Sequence, residues 1–117
     1  MPEDALPADL PIPQELKTCA TSLVHLGVRE FAWPRTKALE VVSALEGTAW
    51  AILGGVVLVL REGAFTRRYD NWHSDRRSDE TCSDFVKRSH CETHSYIERY
   101  PEGNADVSYV LVFKQCI

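Results

Sequence analysis

Between Tyr69 and Thr81 the chain reads YDNWHSDRRSDET, which gathers the carboxylates of Asp70, Asp75, Asp79 and Glu80 around the imidazole of His73. Carboxylates and an imidazole this close could serve general acid–base catalysis, provided a pocket moves their pKa values toward the working pH. A stretch this hydrophilic supplies no such pocket by itself, and Arg76 and Arg77 stand ready to pair with the acids. No catalytic residue is therefore expected here. The chain also carries no Gly-x-Ser-x-Gly elbow and no phosphate loop. Gly54-Gly55 lacks the third glycine and the following helix of a dinucleotide site, so it reads as a backbone device.

A second chemistry is metal binding. His90 and His94 lie four residues apart on a helical pattern, Cys91 lies between them, and His73 precedes them. Four such ligands could collect a zinc ion, which makes a small zinc-binding or metal-dependent enzyme domain the alternative reading. The helical wheel opposes it. His90 and His94 fall at the flank of the apolar face, as surface histidines would, and Cys91 falls on the wet side. That spread suits one tetrahedral centre poorly. The four cysteines, Cys19, Cys82, Cys91 and Cys116, contain no Cys-x-x-Cys pair. Neither a metal nor any other cofactor is expected.

The third chemistry is recognition. Tyr69, Asp70, Asn71, Trp72, Asp75, Arg76, Asp79 and Glu80 combine aromatic bulk with directional polar groups. Interfaces concentrate their energy in Trp, Tyr and Arg of this kind. Trp72 has two roles open to it, covering the sheet edge or meeting a partner. A loop anchored by Trp72 could still present its charges outward.

The elements that must hold this stretch follow from periodicity. Residues 1–12 read as an extended, proline-rich lead-in, and residues 13–117 as a single α+β domain. The spacing of Leu16, Cys19, Ala20, Leu23 and Leu26 predicts a first helix from Pro13 to Leu26. Val28 to Trp33 is a short strand, and Ala38, Val41, Val42 and Leu45 mark a second helix. "TAWAIL" and "VVLVLR" are strands parted by Gly54-Gly55, which makes either a tight hairpin or a bulge within one bent strand. After the turn at Glu62-Gly63, "AFTRRY" returns. The unbroken apolar run Val56 to Leu60 implies a strand covered on both faces. Helices would cover one face, and the N-terminal segment is the candidate for the other. From Thr81 the 3.6 period resumes through Cys82, Phe85, Val86, Ser89, Thr93, Tyr96, Ile97 and Tyr100, with Asp79 or Thr81 as the cap and Pro101 as the stop. "VSYVLVFKQ" is the last strand. The sum is a mainly antiparallel sheet of about four strands packed by two to three helices.

Composition narrows the function. The chain has 117 residues, 44% apolar and 26% charged, which fits one ordinary globular domain. Its net charge of -4 argues against binding a nucleic-acid backbone. The acidic N-terminus lacks the basic and apolar regions of a signal peptide, and Ala49 to Leu60 is too short to span a bilayer. A cytoplasmic protein with no membrane association is expected, with its four cysteines as free thiols and Cys91 the most reactive. A homodimer is compatible with all of this.

The order of "LGVREFAWPR", "ALEVVSALEGTAWAILGG", "YDNW", Asp75-Arg76, "DFVKRSH" and "YIERYP" resembles the Immunity protein 40 family of bacterial polymorphic toxin systems, from about Leu23 to Phe113. The resemblance implies an antitoxin, not an enzyme: it would bind and neutralise the toxic domain of a secreted or contact-delivered effector. It also implies that Gly54, Gly55, Tyr69, Asp70, Asn71 and Trp72 occupy characteristic positions. The family pattern has an aspartate after the two glycines, where this chain has Val56.

Overall fold

The computed structural model describes residues 9–22 and 31–116. In chain order its elements are α1 (Gln14–Thr18), β1 (Thr21–Ser22), β2 (Phe31–Pro34), α2 (Arg35–Ala44), β3 (Trp50–Arg61), β4 (Ala64–His73), α3 (Cys82–Arg99) and β5 (Asp106–Gln115). The strands form one antiparallel sheet in the order β1-β2-β5-β3-β4. This is the expected α+β domain, with a fifth strand supplied by Thr21–Ser22.

That strand comes from a shorter first helix. α1 ends at Thr18, and Thr21 pairs with Ala32 of β2. Thr18, Thr21 and Ser22 are weak helix formers, and the Thr18 hydroxyl already donates back to the Gln14 carbonyl. Sheet pairing therefore prevails where apolar spacing suggested more helix. The expected tail of that helix, Leu23 to Leu26, and the start of the next strand, Val28 to Glu30, lie outside the described residues, as does most of the lead-in.

Side-chain alternation divides the sheet into two faces. Val107, Tyr109, Leu111 and Phe113 of β5 turn toward the helices, where they meet Trp33, Val41, Leu45, Ile52, Val57 and Ile97 in the main core. Ala32, Leu58 and Val110 form a small buried cluster on the opposite face, with Val56 and Val112 packed against it. Leu10, Ile12 and Leu16 join the main core, so the described part of the N-terminal segment packs on the helix side, not the far side as expected. The Trp33 indole N–H fixes it there, donating to the Leu16 carbonyl at 2.8 Å.

Gly54 and Gly55 make a bulge, not a hairpin. β3 continues through them, and its register with β5 slips between Ile52 and Gly54. At Gly54 φ is 147°, a conformation rare for residues with a side chain. A Cβ on Gly55 would stand 1.9 Å from the Val110 carbonyl oxygen and 2.4 Å from Cη2 of Trp72. The glycines therefore let the β3 backbone approach both β5 and Trp72.

Helix α3 lies against β3. Thr81 caps it, its hydroxyl oxygen accepting from the Asp84 N–H at 3.1 Å. Phe85 and Val86 pack on Ala51, and Ile97 enters the main core, as its period predicts. The expectation of four free thiols does not hold. Cys82, the first residue of α3, is disulfide-bonded to Cys116 just beyond β5, and Cys19 and Cys91 are the free, exposed thiols. The sequence hides this pairing because the two residues are 34 positions apart. The backbone brings them together when Cys116 N–H donates to the Ala49 carbonyl at 2.8 Å.

Two measurements check this architecture. Thiol titration without reductant should find two reactive cysteines, Cys19 and Cys91, in native and denatured protein alike. Reduction should then lower the unfolding free energy by up to about 4 kcal/mol, the chain-entropy value for a closed loop of this length. Separately, Gly55→Ala should cost about 1–3 kcal/mol in denaturant unfolding, because the methyl group meets backbone that must shift. A variant as stable as the parent would contradict the close approach.

Candidate functional site

The residues from Tyr69 to Glu80 do not form one loop. Tyr69, Asp70, Asn71, Trp72 and His73 finish β4, the edge strand, and only the stretch after His73 is irregular. Strand pairing prevails because Asn71 and Trp72 stand in register with Val56 and Gly55 of β3. Alternation then sends Trp72 toward the helices and Asn71 to the opposite face.

Trp72 is half-buried and held from three sides. Its ring lies over Gly55, stacks on Tyr96 of α3 with centroids 4.5 Å apart, and meets Tyr109 edge-on at 6.5 Å. Its indole N–H donates to the Thr93 hydroxyl at 3.0 Å, which satisfies the one polar group that burial would strand. Next to it Asp70 is exposed, and its carboxylate accepts from the Tyr100 hydroxyl at 2.5 Å. Burial, then the charge of Asp70, pushes the Tyr96 hydroxyl above its ordinary pKa. The side chain of Tyr69 lies outside the described residues.

The irregular segment is clasped to α3 by Arg88. Its guanidinium makes a bidentate bond to the Glu80 carboxylate, both contacts at 2.8 Å, and donates to the Asp75 carbonyl at 2.6 Å. A fourth contact, at 3.0 Å, goes to Glu92, which also accepts from the Ser74 hydroxyl at 2.6 Å. The Arg77 N–H donates to Glu80 at 3.1 Å, and Arg76 donates to the Glu80 carbonyl at 3.0 Å. Glu80 and Arg76 are thus committed within the segment, whereas Asp75 and Asp79 are exposed. The Arg88 hydrogen bonds, followed by that from Arg77, hold the Glu80 carboxyl at about 2, far below its ordinary 4.5.

The four residues of the zinc alternative do not converge. His90 is buried rather than superficial, with its Nε2–H donating to the Trp50 carbonyl at 2.7 Å. Cys91 faces outward, His94 lies 3.9 Å from Glu98, and His73 lies 3.8 Å from Asp75. Among the described residues no group of three His, Cys, Asp or Glu side chains could hold a metal ion. The helix turns His90 inward and its neighbour outward, so adjacency in sequence opposes a shared centre.

Sequence reasoning missed Arg88, Thr93, Tyr96 and Tyr100 as parts of this site. The last three were legible only as an apolar helix face. Nothing local distinguishes Arg88 from any exposed helix arginine, because its partner Glu80 lies before the helix cap.

Because the folded pKa of Glu80 lies below its unfolded value, its contribution to stability is complete above about pH 4.5 and is lost as pH falls toward 2. An NMR titration of the Glu80 carboxyl should give a midpoint near 2 in the parent protein. In Arg88→Gln it should move up toward 4.5, with faster amide exchange over residues 75–80. An unchanged midpoint would remove the clasp from this account.

No curated protein and no solved structure matches the chain. The family model described as Immunity protein 40 matches residues 22–113, from the end of β1 into β5. That span takes in the Gly54-Gly55 bulge, the Trp72 packing and the Arg88 clasp, and on this match the chain belongs to the Immunity protein 40 family.

Proposed function

We propose that this protein neutralises one cognate toxin domain by direct binding, and that the surface from Tyr69 to Glu80 contributes to the contact. Membership of the Immunity protein 40 family is the observation that carries this reading. Its role is recognition, not catalysis, and its partner is a protein rather than a nucleic acid or a membrane. No helix among the described residues is long and apolar enough to cross a membrane.

The geometry supports this role. Asp70, Asp75 and Asp79 are exposed on a segment that β4, the Arg88 clasp and the N-terminus of α3 hold in place. Holding such groups before the partner arrives lowers the ordering cost of association. The net charge of -4 suits a partner with a basic site, since complementary charge speeds encounter and selects the partner. The proposed setting is the cytoplasm of the producing cell. A reducing cytoplasm would open the Cys82–Cys116 bond of the folded structure, so finding that bond intact in cells quenched with an alkylating agent would overturn this setting.

Co-expression should rescue cells from the toxin domain encoded beside this chain's gene, and not from unrelated toxins. Asp75→Lys with Asp79→Lys should weaken binding at least tenfold, about 1.4 kcal/mol, at matched salt. Stability should stay within about 0.5 kcal/mol, as expected of exposed positions. Unchanged binding would exclude the irregular segment from the contact. A wild-type protein that neither binds nor protects would end the immunity reading.

A further inference from the structure

The Cys82–Cys116 bond joins the first residue of α3 to the residue after β5, and both cysteines are only half-buried. Both border a cavity of about 630 Å³ between the start of α3 and the connection from α2 to β3. Cys116 also borders a second cavity, of about 380 Å³, between the end of β5 and the irregular segment. Small molecules can therefore approach the bond from two sides, and access of this kind is what lets a thiolate reach a disulfide sulfur.

The surroundings also stabilise the open form. Cys82 stands at the first position of an 18-residue helix, where a thiolate meets the positive end of the helix dipole. The Arg76 guanidinium lies 3.9 Å from the Cys116 sulfur, close enough to pair with a thiolate there. Asp84, in the first turn of α3, opposes a charge on Cys82. Of the cavities, the larger is balanced, bordered by Lys87 and Glu46. The smaller has Arg76 and Lys114 against Asp75, an excess of one positive charge that favours an anionic thiol on the Cys116 side. A disulfide whose reduced form is stabilised in this way is the labile kind.

We propose that Cys82–Cys116 is a thiol–disulfide exchange site for small anionic thiols of the glutathione class. The incoming thiolate bonds to the Cys116 sulfur, and the electron pair of the old S–S bond leaves on Cys82. A second thiolate of the same class then bonds to the sulfur of the first, and the electron pair of the mixed disulfide leaves on Cys116 beside Arg76. Both cysteines are reduced, two external thiols are oxidised to one disulfide, and the two thiol protons pass to the cysteines or to water. Arg76 also donates to the Glu80 carbonyl, so one side chain connects the redox state of the pair to the segment that carries Asp75 and Asp79. The exchange requires no toxin and stands apart from the immunity reading.

The test uses the full chain with Cys19→Ser and Cys91→Ser, which leaves only the bonded pair. The protein is equilibrated without denaturant in buffers of reduced and oxidised glutathione, then acid-quenched, alkylated and mapped by mass. The pair should open and reclose reversibly while circular dichroism reports the folded protein, and early time points should carry a mixed disulfide on Cys116. Arg76→Gln should make opening about tenfold less favourable, equal to about 30 mV for a two-electron couple. Arg76→Lys, which keeps the charge, should stay within about threefold of the parent. A bond that glutathione opens only in denaturant, a mixed disulfide confined to Cys82, or an Arg76→Gln equilibrium within twofold of the parent would overturn the proposal. Should Arg76→Gln prove unstable, the parent's reversible opening and the position of its mixed disulfide still decide.

Discussion

The position of Trp72 is the constraint on which the rest of this structure depends. An indole can lie flat across a β-strand only where that strand has no side chain beneath it. Gly55 meets this need, and Gly54 gives the bulge that brings the backbone into place. The indole N–H must then find an acceptor, and Thr93 supplies it from α3. Strand, edge strand and helix are thereby joined through one side chain. The same arrangement aligns Tyr96 and Tyr100 above Tyr109, so the stacking of these rings is a consequence of how the helix is docked.

Around this centre, the two ends of α3 are held by different means. Its N-terminus is bound to the end of β5 by Cys82–Cys116 and to the preceding segment by Arg88 and Glu80. Its C-terminus is held by Arg35 of α2, which donates to the carbonyls of Ile97 and Tyr100 and lies 3.4 Å from Glu102. Glu102 in turn accepts from the Tyr109 hydroxyl at 2.6 Å. Lone carbonyls at a helix end are satisfied in this way, and the buried phenol keeps its partner. The irregular segment after β4 is tied to the helix through Arg88 and Glu92, while Asp75 and Asp79 stay exposed on it.

A recognition role places different demands on a fold than catalysis does. The carboxylates of the Tyr69–Glu80 stretch divide into two sets. Glu80 is spent on internal structure, with its proton affinity lowered by Arg88, while Asp75 and Asp79 remain at the surface. Asp70 belongs partly to each set, exposed yet bonded to Tyr100.

Much of this was legible in the residues themselves. The apolar period through Phe85, Val86 and Ile97 gave α3 and its buried face. Pro101 marked the end of α3, and the order of short motifs identified the family. These signals are local: period, capping and backbone restriction act within a few residues, so one dimension contains them. The inward turn of His90, the Cys82–Cys116 bond and the Arg88–Glu80 clasp were not legible, and at Gly54-Gly55 the residues left hairpin and bulge both open. Nor was the outcome for Asp70 to His73, which hydrophilicity assigned to a loop and pairing with β3 made a strand. Each depends on which segments meet across tens of residues, and only the folded chain decides that, because a polar side chain takes its role from the partner that tertiary packing brings to it.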